Sequence, residues 1–172
     1  MNNKNRSADL VLIVAILLLL SGTISAQNKT IVLVRHAEKN PPVDGDEGDP
    51  DLSAEGRERA VRLATVVKKY KPHEILATDY KRTRQTAEPI AKRRGKEIQT
   101  YDPTKLTELV EKMMVSKTDH YLIVGHSNTT PALANLLMKK DVFKSLPDTE
   151  YGVFWVIRIK NGVLKKIEVY PY

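Results

Sequence analysis

The sequence of 172 residues contains no cysteine. A fold held together by disulfide bonds and a cysteine-ligated zinc or iron–sulfur site are therefore excluded. Aromatic residues make up only 6% of the chain, and none lies within the most basic stretch, residues 81–96. Surfaces that bind single-stranded nucleic acid combine basic with aromatic side chains, so nucleic acid is not an expected partner.

The length and the charge balance are those of an ordinary globular domain. A chain of this length is typical of one domain. Its 28 lysine and arginine residues exceed its 21 acidic residues, which gives a net charge of +7. Such a balance fits either an anionic ligand or solvated helix faces, and most of the basic residues fit the second description. The charge therefore allows a phosphorylated partner without requiring one.

The N-terminal segment predicts an export signal rather than part of the fold. Lys4 and Arg6 precede an unbroken apolar run, Leu10 to Leu20, and mostly small residues follow as far as Ala26, although Ile24 stands where a small residue is commonest. Eleven apolar residues are fewer than the ~20 that a membrane-spanning helix needs. We therefore expect residues 1–26 to be a cleaved signal peptide and residues 27–172 to be a periplasmic or secreted domain. Membrane contact is expected only through the signal, if it stays uncleaved.

Alternating strand and helix patterns predict an α/β fold for the mature chain. Short apolar or β-branched runs predict strands over residues 30–34, 74–78, 97–101 and 121–124. Helical spacing and capping residues predict helices over residues 54–70, 83–94, 106–114 and 129–138, with Thr104 as the cap of the third. Asn161-Gly162 predicts a hairpin between strands 153–159 and 163–170. This order is typical of a three-layer α/β/α fold with a mainly parallel sheet and a C-terminal antiparallel hairpin.

The unusual polar residues follow the predicted strands. Arg35 and His36 come directly after the first strand, and His126 follows the fourth. Arg82 lies four residues after Thr78, which ends the second strand. Because ligands bind at the carboxyl ends of parallel strands, we expect two histidines and two arginines to converge at one edge of the sheet.

These residue types are suited to phosphoryl transfer. The planar guanidinium of arginine matches phosphate oxygens bidentately. A neutral imidazole can attack phosphorus and carry the phosphoryl group covalently. The sequence has no glycine-rich phosphate loop and no nucleotide signature.

Four sequence motifs carry a resemblance to a known family. They are Ile31–Glu38 (IVLVRHAE), Leu52–Gly56 (LSAEG), Thr78–Ala87 (TDYKRTRQTA) and Val124–Ser127 (VGHS). In this order the chain resembles the histidine phosphatase superfamily, in its smaller, phosphoglycerate-mutase-like branch. The resemblance implies a phosphatase that uses no metal or other cofactor and acts on a small phosphorylated substrate or a phosphoprotein. Ala37 replaces the glycine that commonly follows Arg-His, and a mutase-type continuation is absent, so a glycolytic mutase is not expected.

The resemblance also implies a role for each matching residue. His36 would be the phosphorylated nucleophile, and Arg35 and Arg82 would hold the phosphoryl oxygens. His126 would donate a hydrogen bond to the same group in the transition state. Ser127 or Asn128 would add further hydrogen bonds.

The proton donor for the leaving group has competing candidates. A leaving alcohol needs a proton unless it is already a good leaving group. Many relatives carry a glutamate in a Leu-x-Glu segment after the third strand, and Leu106-Thr107-Glu108 matches it. Glu108 also lies within the predicted amphipathic helix, where a solvent-facing glutamate is ordinary, and Asp102 at the strand end is its rival. A third possibility is no dedicated acid, as in the small phosphohistidine phosphatases that this chain resembles.

Two functions therefore compete. The first is an exported phosphatase that hydrolyses a phosphomonoester or a phosphoramidate through a phosphohistidine on His36. The alternative is a module that binds or senses a phosphorylated ligand with little or no turnover. The acidic stretch Asp44–Asp51 fails the EF-hand pattern, because Gly48 occupies a ligand position, and is expected to be a solvated loop at the mouth of the site.

Overall fold

The computed structural model describes residues 28–41 and 48–172. The predicted signal peptide and its cleavage site lie outside the described residues. The strands are β1 (Lys29–Arg35), β2 (Glu74–Ala77), β3 (Ile98–Thr100), β4 (His120–Gly125), β5 (Val153–Lys160) and β6 (Val163–Pro171). The α-helices are α1 (Ala54–Val66), α2 (Lys81–Arg94), α3 (Leu106–Val115) and α4 (Thr129–Met138).

The strands form one mixed sheet in the order β3-β2-β4-β1-β5-β6. The pairs β2–β3, β2–β4 and β1–β4 are parallel, whereas β5 is antiparallel to both β1 and β6. The hairpin turn has positive φ angles at Asn161 (55°) and Gly162 (72°), as the Asn-Gly pair predicts. The predicted α/β fold with its C-terminal antiparallel hairpin is confirmed.

Both faces of the sheet are buried. Alternate residues of β1 point to opposite sides, so Val32 packs in a cluster with Leu63 of α1, and Leu33 packs in a second cluster with Leu133 of α4. Helix α2 joins the first cluster and α3 joins the second. The three-layer arrangement follows from this division of the apolar residues.

The observed elements differ from the predicted ones mainly at their ends. Helix α1 ends at Val66, and a 3₁₀ turn, Val67–Tyr70, completes the predicted segment. The predicted cap of α3 is wrong: Lys105 precedes that helix, and Thr104 is not its cap. The reason is a competing local turn, because the Asp102 carboxylate accepts hydrogen bonds from both the backbone N–H and the hydroxyl of Thr104. Within residues 28–41 and 48–172, no helix has the length and apolar character required to cross a membrane.

Candidate active site

The four predicted phosphate-site residues converge at the carboxyl edge of the sheet. Arg35 ends β1, and the backbone N–H of the next residue, His36, donates to the carbonyl of Gly125 at the end of β4 (2.8 Å). The imidazole rings of His36 and His126 lie with their centroids 5.5 Å apart. Arg82 lies in the first turn of α2, which begins at the same edge. The strand order explains this convergence, since β1, β4 and β2 are neighbours.

Close backbone packing holds the loop that carries His36. The N–H of Ala37 donates to the Thr86 hydroxyl of α2 (2.9 Å). A β-carbon on Gly56 of α1 would lie 2.0 Å from the carbonyl oxygen of Glu38, so only glycine fits there. The Glu38 carboxylate is paired with Arg59, whose Nε lies 2.6 Å from it. Two of the sequence motifs therefore fix the backbone of the two residues that follow the nucleophile candidate.

His36 is buried in its neutral form, with Nε2 as the unprotonated nitrogen. Its Nδ1 lies 2.8 Å from the carbonyl oxygen of Ala37. A carbonyl can only accept, so Nδ1 carries the proton and Nε2 keeps its lone pair. Burial lowers the pKa of His36 to about 3, although the bond to Ala37 opposes the shift. The positive charges of Arg35 and Arg82 act in the same direction as burial.

A chain of hydroxyl groups determines the tautomer of His126. The Thr83 hydroxyl lies 2.9 Å from the carbonyl of Thr78 and 2.8 Å from that of Tyr80, so its one proton is donated to a carbonyl. The Thr83 oxygen can then only accept from the Thr78 hydroxyl, 3.0 Å away. This uses the Thr78 proton, so His126 Nε2, 2.9 Å from the Thr78 oxygen, is the donor. Nδ1 is therefore the unprotonated nitrogen of neutral His126.

His126 is also neutral at physiological pH. Burial lowers its pKa to about 4, and the charges of Arg82 and Arg35 add to the effect, while Asp49 opposes it. Both imidazoles thus face a positively charged environment without carrying charge themselves. Such an environment attracts an anion.

The side chain of Arg35 is held by a segment that precedes β5. Its Nη1 donates to the carbonyls of Pro147 (2.7 Å) and Glu150 (2.8 Å). The guanidinium carbon lies 4.1 Å from the centre of the Tyr151 ring. Within the described part of the chain, the buried Nε of Arg35 has no hydrogen-bond partner. This donor is therefore available to an acceptor brought by a ligand.

Arg82 is flanked by an acidic and an aromatic residue. Its Nη1 lies 3.4 Å from the Asp49 carboxylate, and its guanidinium carbon lies 4.2 Å from the centre of the Tyr80 ring. The Asp49 carboxylate also accepts from the backbone N–H of Lys81 at the start of α2 (3.0 Å). Asp49 belongs to the acidic stretch that we predicted as a solvated loop, and residues 44–47 of that stretch lie outside the described residues. Its contact with Arg82 is a feature that the sequence did not single out.

A cavity of about 280 Å³ opens beside His126. It is lined by Tyr80, Arg82, Pro103, Thr104, His126, Asn128 and Thr129. Asn128 is thus at the site, whereas Ser127 is not among the lining residues. A larger cavity, about 490 Å³, lies between α1 and α2, but it contains neither histidine, and its Arg57 and Gln85 side chains bond to Leu52 and Asp51. The smaller cavity contains Arg82 and His126, whereas Arg35 and His36 are not among its lining residues, so it marks the His126 side of the candidate site.

Neither candidate proton donor lines this cavity. Glu108 lies in the first turn of α3, is 70% exposed, and pairs at 3.9 Å with Lys105. Asp102 is at the surface, and the hydrogen bonds from Thr104 lower the pKa of its carboxyl. A carboxyl with a lowered pKa holds a proton poorly, which is unfavourable for a general acid. The structure does not bring either carboxylate to the histidines, and the role of Glu108 stays a prediction for mutagenesis.

The described residues also bear on metal binding. Across residues 28–41 and 48–172, no group of three or more His, Asp or Glu side chains is placed to hold a metal ion.

The residues that sequence reasoning missed are Asp49, Tyr80, Tyr151 and the carbonyls of residues 147–150. The aromatic residues could have been noticed by their positions beside Arg82 and before β5, but backbone carbonyls have no sequence signal.

The family comparison agrees with the motifs. The model of the histidine phosphatase superfamily (branch 1) matches residues 31–111. This range contains Arg35, His36 and Arg82, and ends before His126. No curated protein matches the sequence at a significant level.

Solved structures with the same fold come from bacterial phosphatases. A candidate phosphohistidine phosphatase SixA from Agrobacterium tumefaciens is 19% identical, with a TM-score of 0.64, over 84% of this chain and 99% of that one. A candidate alpha-ribazole-5'-P phosphatase from Escherichia coli is 14% identical, with a TM-score of 0.67, over 84% and 97%. A mycobacterial glucosyl-3-phosphoglycerate phosphatase is 15% identical, with a TM-score of 0.62, over 84% and 98%. At these identities the likeness establishes the fold.

Proposed function

The chain belongs to the histidine phosphatase superfamily (branch 1), and on that premise we propose that it is an exported phosphatase that works through a phosphohistidine on His36. The family and the related structures support phosphatase activity. The intermediate, the independence from metal and the export are our proposals. The observation that supports the phosphohistidine intermediate is the buried, neutral imidazole of His36, which lies between two arginines and has Nε2 unprotonated.

In the first step the Nε2 lone pair of His36 attacks phosphorus. A bond forms between Nε2 and phosphorus, and the bond from phosphorus to the leaving oxygen or nitrogen breaks, with its electron pair passing to the leaving group. Because Nδ1–H already donates to Ala37, the positive charge that develops on the ring is stabilised by that carbonyl. In the second step water attacks phosphorus, the bond to Nε2 breaks, and neutral His36 returns with release of inorganic phosphate.

The surrounding donors neutralise the phosphoryl oxygens. The unpartnered Nε of Arg35 and the guanidinium of Arg82 supply charged hydrogen bonds where charge is spread over those oxygens. His126, whose Nε2–H is occupied by Thr78, donates to the phosphoryl oxygens only in the form in which Nδ1 also carries a proton. These residues provide the required charge without a metal ion.

The cavity favours substrates whose leaving group departs without protonation by a carboxylic acid side chain. Among residues 28–41 and 48–172, no carboxylate lines this cavity, so the described lining offers no side chain suited to protonate the departing oxygen of an alkyl ester. A phosphoramidate nitrogen is protonated more easily than an ester oxygen. Two related structures are described as candidate phosphohistidine phosphatases, and the mycobacterial phosphatase has been solved with inorganic phosphate and with VO3. We therefore place phosphoramidates and activated esters first among substrates for this chain.

A phosphate-release screen tests this proposal. Phosphohistidine, phosphoramidate, aryl phosphates and alkyl phosphates would be offered to the full chain, to His36→Ala and to the control His73→Ala. His73 is a half-exposed histidine that pairs with Asp119 at the other end of the sheet. We expect release by the unmutated chain and by His73→Ala, and none by His36→Ala. Release by His36→Ala at the unmutated rate would contradict the mechanism.

A second candidate function rests on the same lack of a carboxylate. A module that binds a phosphorylated ligand needs the two arginines but no proton donor. Calorimetry with inorganic phosphate separates the two functions when combined with the screen. Binding that is lost in Arg82→Ala, with no release from any substrate, would establish the module in place of the phosphatase.

A further inference from the structure

An apolar cavity of about 340 Å³ lies at the end of the sheet opposite the two histidines. It is formed where α3, α4 and the β5–β6 hairpin meet, and eight of its ten lining residues are Val, Leu, Ile or Met. Two of these side chains are largely open to solvent: Val163 is 56% exposed and Leu136 is 38% exposed. Val115, at the end of α3, is 81% exposed. Clustered exposed apolar side chains of this kind mark interaction surfaces.

Lysines are frequent in the segments that form the cavity. Residues 110–117, 136–144 and 159–165, which we call the lysine-rimmed face, contain seven lysines and two acidic residues. All seven lysines are exposed, among them Lys139, which lines the cavity, and Lys160, which pairs with Val163 across the hairpin. Within the described part of the chain none of the seven forms an ion pair. The face therefore combines an apolar cavity with a net positive charge.

The first strand of the described chain begins at the same end of the domain. Strand β1 begins at Lys29, which pairs with Ile159 of the cavity wall. Only eight residues separate Lys29 from the apolar run that ends at Leu20. Before the expected cleavage near Ala26, the lysine-rimmed face is thus the end of the domain closest in the chain to the apolar run.

These observations favour one occupant. A second copy of the chain would bring seven more lysines against the first seven, which opposes self-association. Anionic lipids offer the complementary charge over a broad area, together with an apolar interior for Val163 and Leu136. We propose that the lysine-rimmed face rests on an anionic membrane surface, with its apolar side chains at the boundary of headgroups and acyl chains. The histidine site, at the far edge of the sheet, then faces the aqueous phase.

The absence of cysteine makes a direct test possible. Val163→Cys and the control Val61→Cys would each be labelled with an environment-sensitive fluorophore in the full chain. Val61 is matched in type and exposure (51%) but lies on α1, on the other face of the sheet. The labelled proteins would be mixed with phosphatidylcholine vesicles with and without phosphatidylglycerol.

We expect the label at position 163 to shift to shorter wavelength and to be quenched by nitroxide lipids on vesicles with phosphatidylglycerol, while the label at 61 is unchanged. Lys139→Glu with Lys160→Glu should weaken this response at least about tenfold, because each lysine adds to the attraction of the surface. The same charge change at Lys92 and Lys96, exposed residues of or just after α2, should have little effect.

Three results would overturn the proposal. The first is an equal response at positions 163 and 61. The second is a response on pure phosphatidylcholine that charge reversal leaves unchanged, which would assign binding to the N-terminal run alone. The third is a label at 163 that is already shifted without vesicles, which would mean that the chain's own segment or a second copy covers the face. None of these readouts depends on phosphatase activity.

Discussion

Replacing Thr78 with valine removes the hydroxyl that holds His126 in one tautomer. The Thr78 hydroxyl contacts only His126 Nε2 and Thr83 among the described side chains, and valine keeps the shape of threonine. The substitution leaves the Nε2–H of a largely buried imidazole without an acceptor. An unsatisfied buried donor costs about 1–3 kcal/mol.

If that cost is borne in the transition state, kcat/KM falls by roughly 5- to 100-fold, since each ~1.4 kcal/mol is a factor of ten. We expect the loss in kcat rather than in KM, because Arg35 and Arg82 still bind the phosphoryl group. Steady-state kinetics on an activated phosphate substrate measures both parameters.

Nitrogen NMR of the imidazole tests the reasoning without turnover. The unmutated chain should show His126 protonated at Nε2 and unprotonated at Nδ1 at neutral pH. In Thr83→Val the Thr78 proton is no longer drawn to Thr83, so it can be donated to His126, and the Nδ1–H tautomer should gain population. Two results would refute the assignment of the His126 tautomer. The first is an unmutated chain in which His126 Nε2 is unprotonated. The second is a Thr78→Val variant with unchanged kcat and an unchanged tautomer.

The remaining predictions concern the acid, stability and export. Glu108→Gln and Asp102→Asn should each change alkyl phosphate hydrolysis by much less than the ~10²–10⁴-fold that a general acid supplies, and a loss in that range on alkyl but not aryl phosphates would identify the acid. Folding lowers the pKa of His36 from 6.5 to about 3. Below pH 6.5 the unfolded chain therefore binds a proton that the folded chain does not bind. The melting temperature should fall as the pH drops below 6.5. His36→Ala should flatten that fall between pH 6 and pH 4, and an identical slope in the variant would contradict the assignment. N-terminal sequencing of exported protein should begin near Gln27, and an intact Met1 on soluble cytoplasmic protein would disprove export.

The placement of the histidines could be predicted because it depends on short-range patterns. β-Branched runs mark the strands, and parallel strands bring their carboxyl ends to one edge, so Arg35, His36 and His126 were expected together. Helix ends were harder to predict, since they depend on competing local bonds. Thr104 looked like a helix cap, but its hydroxyl donates to the Asp102 carboxylate in a local turn, and the helix begins after Lys105.

The partners of the two arginines could not be predicted from the sequence. Arg35 is held by backbone carbonyls at residues 147–150, and a carbonyl is present at every position of a chain. Asp49 contacts Arg82, but the acidic stretch offers several aspartates, and composition cannot choose among them. These contacts join segments far apart in the chain, so only the folded arrangement selects them.

The central claim is that His36 carries the phosphoryl group on Nε2, and trapping that intermediate tests it most directly. The full chain would be mixed with a phosphoramidate or aryl phosphate, quenched rapidly in base, where a phosphohistidine survives, and examined by phosphorus NMR and peptide mass spectrometry. We predict one phosphoryl group on Nε2 of His36, absent from His36→Ala and lost in acid. Turnover with phosphate on another residue, or turnover with full retention in His36→Ala, would contradict the account.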